Sequence, residues 1–227
     1  MTDRPLISVP VAGLHAPDLA QLRAAVSRFS QLPGVDKTAT PETTAPTLDL
    51  AIPEHRTALL RWLNSWGCRI RYPRDGETDL FDAGIRDWAA RWAGAIVPAE
   101  VTLARLTHED ITLLGEYYAD LANLTVGTPV RPRSLGPTAA AKTLYRLRPR
   151  TFMPWDDAIA NSLHGARDAV AFMAHQRLGR GWARRLLDES GLDERALASA
   201  LGSEGRSLPK LLDDYCYMRF TRGEFAL

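Results

Sequence analysis

Apolar residues recur every three or four positions along most of this chain, which is the spacing of helices that bury one face. The stripe over 17–32, for example, ends just before a Pro-Gly pair, which stops a helix. Trp88 and Trp92 share one helix face because they are four residues apart. The pattern predicts helices over 17–32, 54–66, 79–95, 107–124, 158–178, 180–190, 192–201 and 207–219, and another that begins near 137.

No two segments show the alternation of apolar and polar residues that is typical of paired strands, and no internal repeat is present. We therefore predict a mainly helical, all-α protein, with at most a short extended segment near 68–73. The whole chain, 1–227, is expected to form a single helical domain. Its predicted parts are an N-terminal arm and loop (1–53), a helical lobe (54–126), a hairpin with the helices after it (127–190) and C-terminal helices (191–227).

The composition is that of an ordinary globular protein, with 227 residues, 45% hydrophobic and 24% charged. The first residues do not resemble a signal peptide, and no apolar run approaches eighteen residues, so we expect a soluble cytoplasmic protein without a membrane partner. Cys68 and Cys216 stand far apart, and the five histidines are scattered. We therefore predict no disulfide, no metal site and no other cofactor.

The charge is concentrated in one segment, although the net charge of the chain is only +1. Between 131 and 150 the chain carries cations and no acid, and two aspartates follow at Asp156 and Asp157. Gly136 closes a turn and Pro137 suits the first position of a helix, whose free N–H groups would favour an anion. The segment therefore indicates either a contact with a nucleic-acid backbone or a solvated charged face. Its cations are Arg131, Arg133, Lys142, Arg146, Arg148 and Arg150.

The stretch LGPTAAAK (135–142), followed after a gap by MPWDD (153–157), resembles the helix-hairpin-helix DNA glycosylase superfamily, and within it an 8-oxoguanine glycosylase-like bacterial branch. In that superfamily a hairpin of the form Gly-Val-Gly-Pro-Lys-Thr-Ala precedes a Pro-x-Asp sequence at the start of the next helix. Gly136 matches the second hairpin glycine, and Asp156 matches the aspartate 20 residues later. Ser134 replaces the first glycine. The C-terminal stretch 207–220 resembles the end of the same group.

The resemblance implies that Asp156 stabilises the positive charge that builds on the deoxyribose when a base leaves, and that it orients or deprotonates the attacking water. A plain helix N-cap is the alternative role for this aspartate, and for Asp157. Thr138 stands where lyase-active members carry a nucleophilic lysine, which favours attack by water and an abasic product. Lys142 lies four residues later on the same helix face, so a role as nucleophile, as phosphate contact or as surface residue stays open for it.

We therefore predict a monofunctional DNA base-excision glycosylase, with duplex DNA that carries a damaged or modified base as its partner. The alternatives are a bifunctional glycosylase that uses Lys142, a non-catalytic DNA-binding module, and a helical protein-interaction domain. Oxidised, alkylated and phage-type modified bases are all compatible with the motif. Lys210, Asp213 and Asp214 could read the edge of a base, but charged residues near a terminus are usually solvated, so we expect them to be solvated. The predicted DNA contacts are Arg131, Arg133, Leu135, Gly136, Thr138 and Arg146, and the candidate base-pocket residues are Trp155, Tyr215, Tyr217 and Phe220.

Overall fold

Helices carry most of the chain in the computed structural model, which describes residues 16–33 and 48–224. The prediction of a mainly helical fold is confirmed. Much of the predicted arm and loop over 1–53 lies outside the described residues. None of the described helices is long and apolar enough to cross a lipid bilayer. The helices are α1 (Leu19–Ser30), α2 (Pro53–Ser65), α3 (Leu80–Trp92), α4 (His108–Ala122), α5 (Pro137–Leu147), α6 (Asp157–His164), α7 (Ala169–Ser190), α8 (Glu194–Ala200) and α9 (Leu208–Cys216), with a 3-10 turn at Leu103–Arg105 and a π-helical turn at Tyr217–Thr221.

The break between the sixth and seventh helices differs from the predicted one between 178 and 180. Helix α6 ends at Gly165, whose φ of 66° is left-handed, and α7 begins after Asp168, whose side chain accepts a hydrogen bond from the Ala171 N–H. Gly179 lies within α7, which continues through it. The absence of a side chain there allows close packing. A Cβ at this position would lie 2.8 Å from the sulfur of Met153.

A short β-hairpin separates α4 from α5, which corrects the prediction that the chain has no strand pair. Strands β1 (Thr125–Thr128) and β2 (Arg131–Ser134) pair antiparallel, with Thr125 opposite Ser134. Val126 is the only fully buried residue of the two strands, so the apolar alternation that marks most strands is missing. The segment 68–73, which was expected to be extended, forms no strand.

The core centres on α4 and α7, which pack along each other. Tyr118 of α4 stacks on Phe172 of α7, with ring centroids 4.1 Å apart. Trp155 meets the same Phe172 ring edge-on at 5.0 Å. Because Trp155 directly precedes Asp156, this aromatic cluster fixes the chain at the entry to α6.

Candidate functional site

A pocket of about 590 Å³ opens where α5 and α6 meet the segment after α2. This volume falls within the range of small-molecule sites in proteins. The pocket brings together both halves of the motif in the sequence, the turn before α5 and the aspartates at the start of α6. Its wall is formed by 66–68, 135–139, Lys142, 156–158, Tyr217 and Thr221.

The turn at Gly136 places the beginning of α5 at the pocket wall. Gly136 has φ of 88°, a conformation that residues with a Cβ rarely adopt, and its N–H donates to the Ala122 carbonyl at 2.9 Å. Leu135, which is buried, donates from its N–H to the Leu124 carbonyl. Helix α5 begins with Pro137 and has no side-chain cap, so its first-turn N–H groups form a positive end that favours an anion.

Asp156 also lines the pocket, and two hydrogen bonds hold its carboxylate. One carboxylate oxygen accepts a hydrogen bond from the Ile159 N–H at 2.8 Å, which makes Asp156 the N-cap of α6. The other oxygen accepts from the Thr221 hydroxyl at 2.7 Å. The two roles considered for Asp156 are therefore compatible, because the residue caps the helix and also lines the pocket.

Asp157 also lines the pocket, but its carboxylate is committed to neighbouring side chains. It accepts a hydrogen bond from the Thr138 hydroxyl at 2.9 Å and pairs with the Arg167 guanidinium at 2.5 Å. Partial burial acts to raise the pKa of Asp157, but the bonds from Arg167 and Thr138 outweigh it and lower that pKa. Thr138 thus connects α5 to α6.

Lys142 faces the same pocket, one helical turn after Thr138. Its ammonium donates to the backbone carbonyl of Trp66 at 2.7 Å and lies 5.3 Å from the centre of the Trp66 ring. The neighbouring thiol of Cys68 is partly buried, and burial raises its pKa although Lys142 and Arg133 act against that shift. The pocket wall thus contains an amine, a thiol and an aromatic ring in addition to the carboxylate of Asp156.

A cluster of buried charges lies behind this wall, which corrects the expectation that the C-terminal charged residues are solvated. The Lys210 ammonium contacts the carboxylates of Asp213 at 2.7 Å and Asp214 at 2.5 Å, and Arg206 pairs with Asp214. Lys210 and Asp214 are 5% and 0% exposed. Burial acts to lower the pKa of Lys210, but the two carboxylates outweigh it and raise that pKa. The same ammonium lies 5.2 Å from the centre of the Trp66 ring, so the cluster supports the pocket wall.

The four aromatic residues predicted for a base pocket lie in different places. Tyr217 lines the pocket. Trp155 and Tyr215 are buried in the core and do not line it, and Phe220 is half-buried with the Arg219 guanidinium 5.3 Å from its ring. A second aromatic residue of the pocket wall is Trp66, which was not among the four and lies just after the end of α2.

The run of six cations divides between two regions. Arg131 and Arg133 are exposed on β2, and the Arg133 guanidinium donates to the Arg69 carbonyl at 2.5 Å. These two arginines and Lys142 therefore lie on the side of the hairpin and the pocket.

The other three cations lie toward the far end of α5. Arg146 is in the last turn of that helix. The Arg148 guanidinium donates to the Val97 carbonyl at 2.7 Å, and an Arg150 nitrogen lies 3.8 Å from a carboxylate oxygen of Glu194. Arg148 thus joins two segments of the fold, while Arg131, Arg133 and Lys142 remain the cations of the run nearest to the motif turn.

The loop before Asp156 is clamped by two adjacent side chains of α7. The Gln176 amide accepts from the Met153 N–H at 2.9 Å and donates to the Met153 carbonyl at 2.8 Å. His175 contacts the Pro154 carbonyl through Nε2 at 3.1 Å, so this nitrogen is the donor, and its Nδ1 faces Nε2 of His164 at 3.2 Å. Gln176 and His175 are fully buried.

These supporting residues were not predicted from the sequence, because most of them carry no local signal. Thr221 is 65 positions from Asp156, and Gln176 is 23 positions from Met153. For Trp66 the sequence offers one indication of its position, because it follows an amphipathic helix and precedes Gly67. Gly67 has φ of 79° and turns the chain toward the pocket.

Comparisons with known proteins assign no family to this chain. No family model matches it, and no significant match was found among curated proteins or solved structures.

Proposed function

We propose that this protein is a DNA base-excision glycosylase that hydrolyses the N-glycosidic bond of a damaged or modified base. The observation that carries the proposal is the shared pocket, whose wall contains Asp156, Lys142 and the Gly136 turn before α5. A glycosylase needs a concave site for an extruded nucleotide, a carboxylate near the sugar and donors for the flanking phosphates. The pocket combines a suitable volume with all three kinds of group.

Asp156 would supply the chemistry. Loss of the base builds positive charge on the deoxyribose, and a fixed carboxylate stabilises this charge and polarises the water that attacks C1′. A carboxylate has about four acceptor positions. The bonds from Ile159 and Thr221 use two of them and fix the side chain, which leaves capacity for a water molecule.

The aromatic rings of Trp66 and Tyr217 would contact the extruded base, since both residues line the pocket. Flat rings bind a base by stacking, and the ammonium of Lys142 beside Trp66 offers a hydrogen-bond donor. The exposed side chains of Arg131 and Arg133 would contact phosphates on the duplex next to the pocket.

The two adjacent aspartates provide the test of this mechanism. Asp156→Asn keeps an N-cap of similar quality but removes the charge, so we expect base release to fall at least about 100-fold with DNA affinity nearly unchanged. Asp157→Asn is the matched control, because its partners are Thr138 and Arg167, and release should stay within about tenfold of wild type. Release is measured on duplexes that each carry one oxidised, alkylated or otherwise modified base.

Three results would contradict the proposal in different ways. Wild-type rates for Asp156→Asn would remove its catalytic role. Steeply salt-dependent DNA binding without release of any base would indicate a binding module. Absence of DNA affinity even at low salt would indicate that the protein is a protein-interaction domain instead.

The position of Lys142 favours one second candidate, a bifunctional enzyme that also cleaves the strand. Its amine lies in the same pocket as Asp156, and a lysine amine that attacks C1′ forms a Schiff base. The chain has only three lysines, and one of the others, Lys210, is buried between two carboxylates. Borohydride trapping on abasic DNA tests this: an adduct lost in Lys142→Arg, which keeps the charge, would replace the water mechanism with the lyase mechanism.

A further inference from the structure

A stripe of arginines on α7 forms a basic surface apart from the pocket. Arg177, Arg180 and Arg184 share one face of this helix, because they are three and four residues apart. Helix α7 contains no acidic residue before Asp188. None of the three arginines lines the pocket, so the proposed reaction gives them no role.

The backbone after the 3-10 turn holds this stripe in place. Arg180 donates from Nη1 to the Leu106 carbonyl at 3.0 Å, and Arg184 donates from Nε to the Ala104 carbonyl at 2.7 Å. Each bond uses only one of the N–H donors of its guanidinium, so further donors remain for a ligand. The side chains are therefore positioned before any ligand binds.

Two more arginines extend the stripe across this turn. Arg105 lies in the turn and is exposed, and Arg150, also exposed, accepts at its carbonyl from the Leu103 N–H at 2.9 Å. An Arg150 nitrogen lies 3.8 Å from the Glu194 carboxylate, which offsets part of the charge. We call this surface the arginine face and define it by Arg105, Arg150, Arg177, Arg180 and Arg184.

The charges of the stripe repel one another. Partial burial lowers the pKa of Arg180, and the charges of Arg184 and Arg177 act in the same direction. Within residues 16–33 and 48–224, no carboxylate forms an ion pair with any of these three arginines. Like charges held close together disfavour the fold, and a bound anion would relieve that repulsion.

The chemistry of the arginine face fits a DNA backbone better than a protein partner. Protein interfaces are centred on apolar and aromatic anchors, whereas surfaces that bind DNA are polar and positive. The large apolar side chains that are exposed in the described part of the chain all lie elsewhere. At 1.5 Å per residue, the stripe from Arg177 to Arg184 is about 10 Å long, which covers about three phosphates of one strand.

The arginine face and the pocket lie toward opposite ends of α5. This helix begins at the pocket with Pro137 and ends with Leu147, about 15 Å further along its axis, and Arg150 follows three residues later. The N-terminal end of α5 would point at a phosphate of the DNA in the pocket, so its other end points away from that duplex. The anion that fits the arginine face is therefore a different segment of DNA.

We propose that the arginine face binds a second segment of duplex DNA while the pocket holds the first. The inference rests on the proposed function for the first segment only. Contact with two segments at once would allow the protein to pass from one to the other without release into solvent. Such transfer shortens the search for a rare base.

Sedimentation velocity with two differently labelled duplexes tests this inference at low salt. One duplex carries a tetrahydrofuran abasic analogue, and the other is undamaged. We expect a complex of one wild-type protein with both duplexes. Arg105→Gln/Arg177→Gln should weaken binding of the second duplex about tenfold and reduce the slope of log K against log salt by about 1.8, because two phosphate contacts are lost. Neither side chain forms a hydrogen bond or ion pair within the described residues, so the fold should be kept.

Arg86→Gln/Arg185→Gln is the matched control, because it removes the same charge from arginines that are already paired with carboxylates. Arg185 is on α7 but about 100° around the helix from Arg184. The control should bind the second duplex as wild type does. The two double variants should bind the abasic duplex alone equally well.

The outcomes separate this inference from the proposed function. Base release by a wild-type protein that holds only one duplex, or equal binding of the second duplex by both double variants, would overturn the second site alone. Binding of a second duplex that depends on the arginine face, without base release from any lesion, would support the second site and overturn the glycosylase. Absence of DNA binding would overturn both.

Discussion

The clamp that Gln176 forms on Met153 should contribute strongly to stability, and Gln176→Leu removes it with little change in volume. Both Gln176 bonds are made in a fully buried environment, at 2.9 and 2.8 Å. Loss of the amide leaves the N–H and the carbonyl of Met153 without these partners, and each such group costs about 1 to 3 kcal/mol. Because the leucine recovers part of this cost by apolar burial, we expect the free energy of unfolding to fall by about 3 kcal/mol.

Urea denaturation at neutral pH measures this change. Val170→Ala on the same helix is the control and should change the free energy of unfolding by less than about 0.5 kcal/mol, since the side chain is half-exposed. A loss below about 1 kcal/mol for Gln176→Leu would refute the reasoning, because it would mean that the Met153 groups find other partners. The position of Asp156 would then not depend on α7 through this clamp.

Two further predictions concern buried ionisable groups. Lys210→Met leaves Asp213 and Asp214 buried without the ammonium between them. The free energy of unfolding, measured with urea, should therefore fall by about 3 to 5 kcal/mol. An unchanged free energy of unfolding would show that the two carboxylates become protonated or hydrated at little cost. Burial lowers the pKa of His175 to about 3 and that of His164 to about 4, from 6.5, so the unfolded chain takes up protons first as the pH falls below 6.5. Stability should therefore decrease from pH 6.5 toward 4, by up to about 1.4 kcal/mol per pH unit for each histidine, and His175→Asn should flatten that slope.

The features that could be predicted from the sequence are those that neighbouring residues determine. Thr107 and Asp110 form the capping box that their spacing indicates, because both members of that motif lie within one helical turn. Asp156 likewise caps α6 through a contact three residues away. The Gly136 turn follows from the same kind of local rule, since glycine readily adopts the left-handed backbone that this position requires.

The features that were missed depend on contacts between distant segments. Lys210, Asp213 and Asp214 are charged residues near the end of the chain, and the packing of α1, α7 and α8 on α9 buries them. Phe29 of α1 lies over the Lys210 ammonium, 4.5 Å from ring centre to nitrogen. The β-hairpin was missed for a different reason: it is a local element, but Val126 alone is buried, so the strands show no apolar alternation.

The difference between local features and contacts of distant segments also applies to the proposed reaction and to the choice of its substrate. The groups that would act on the sugar and the phosphates lie between Arg131 and Asp156, so one short segment of the sequence is sufficient to predict them. One group that would contact the base is the ring of Trp66, which precedes the motif by about 70 residues and reaches the pocket because α2 packs on α5. Tyr217 arrives from the opposite direction, after α9. A motif can therefore predict excision in general, whereas the choice of base depends on the shape and polarity of a wall built by residues outside that motif.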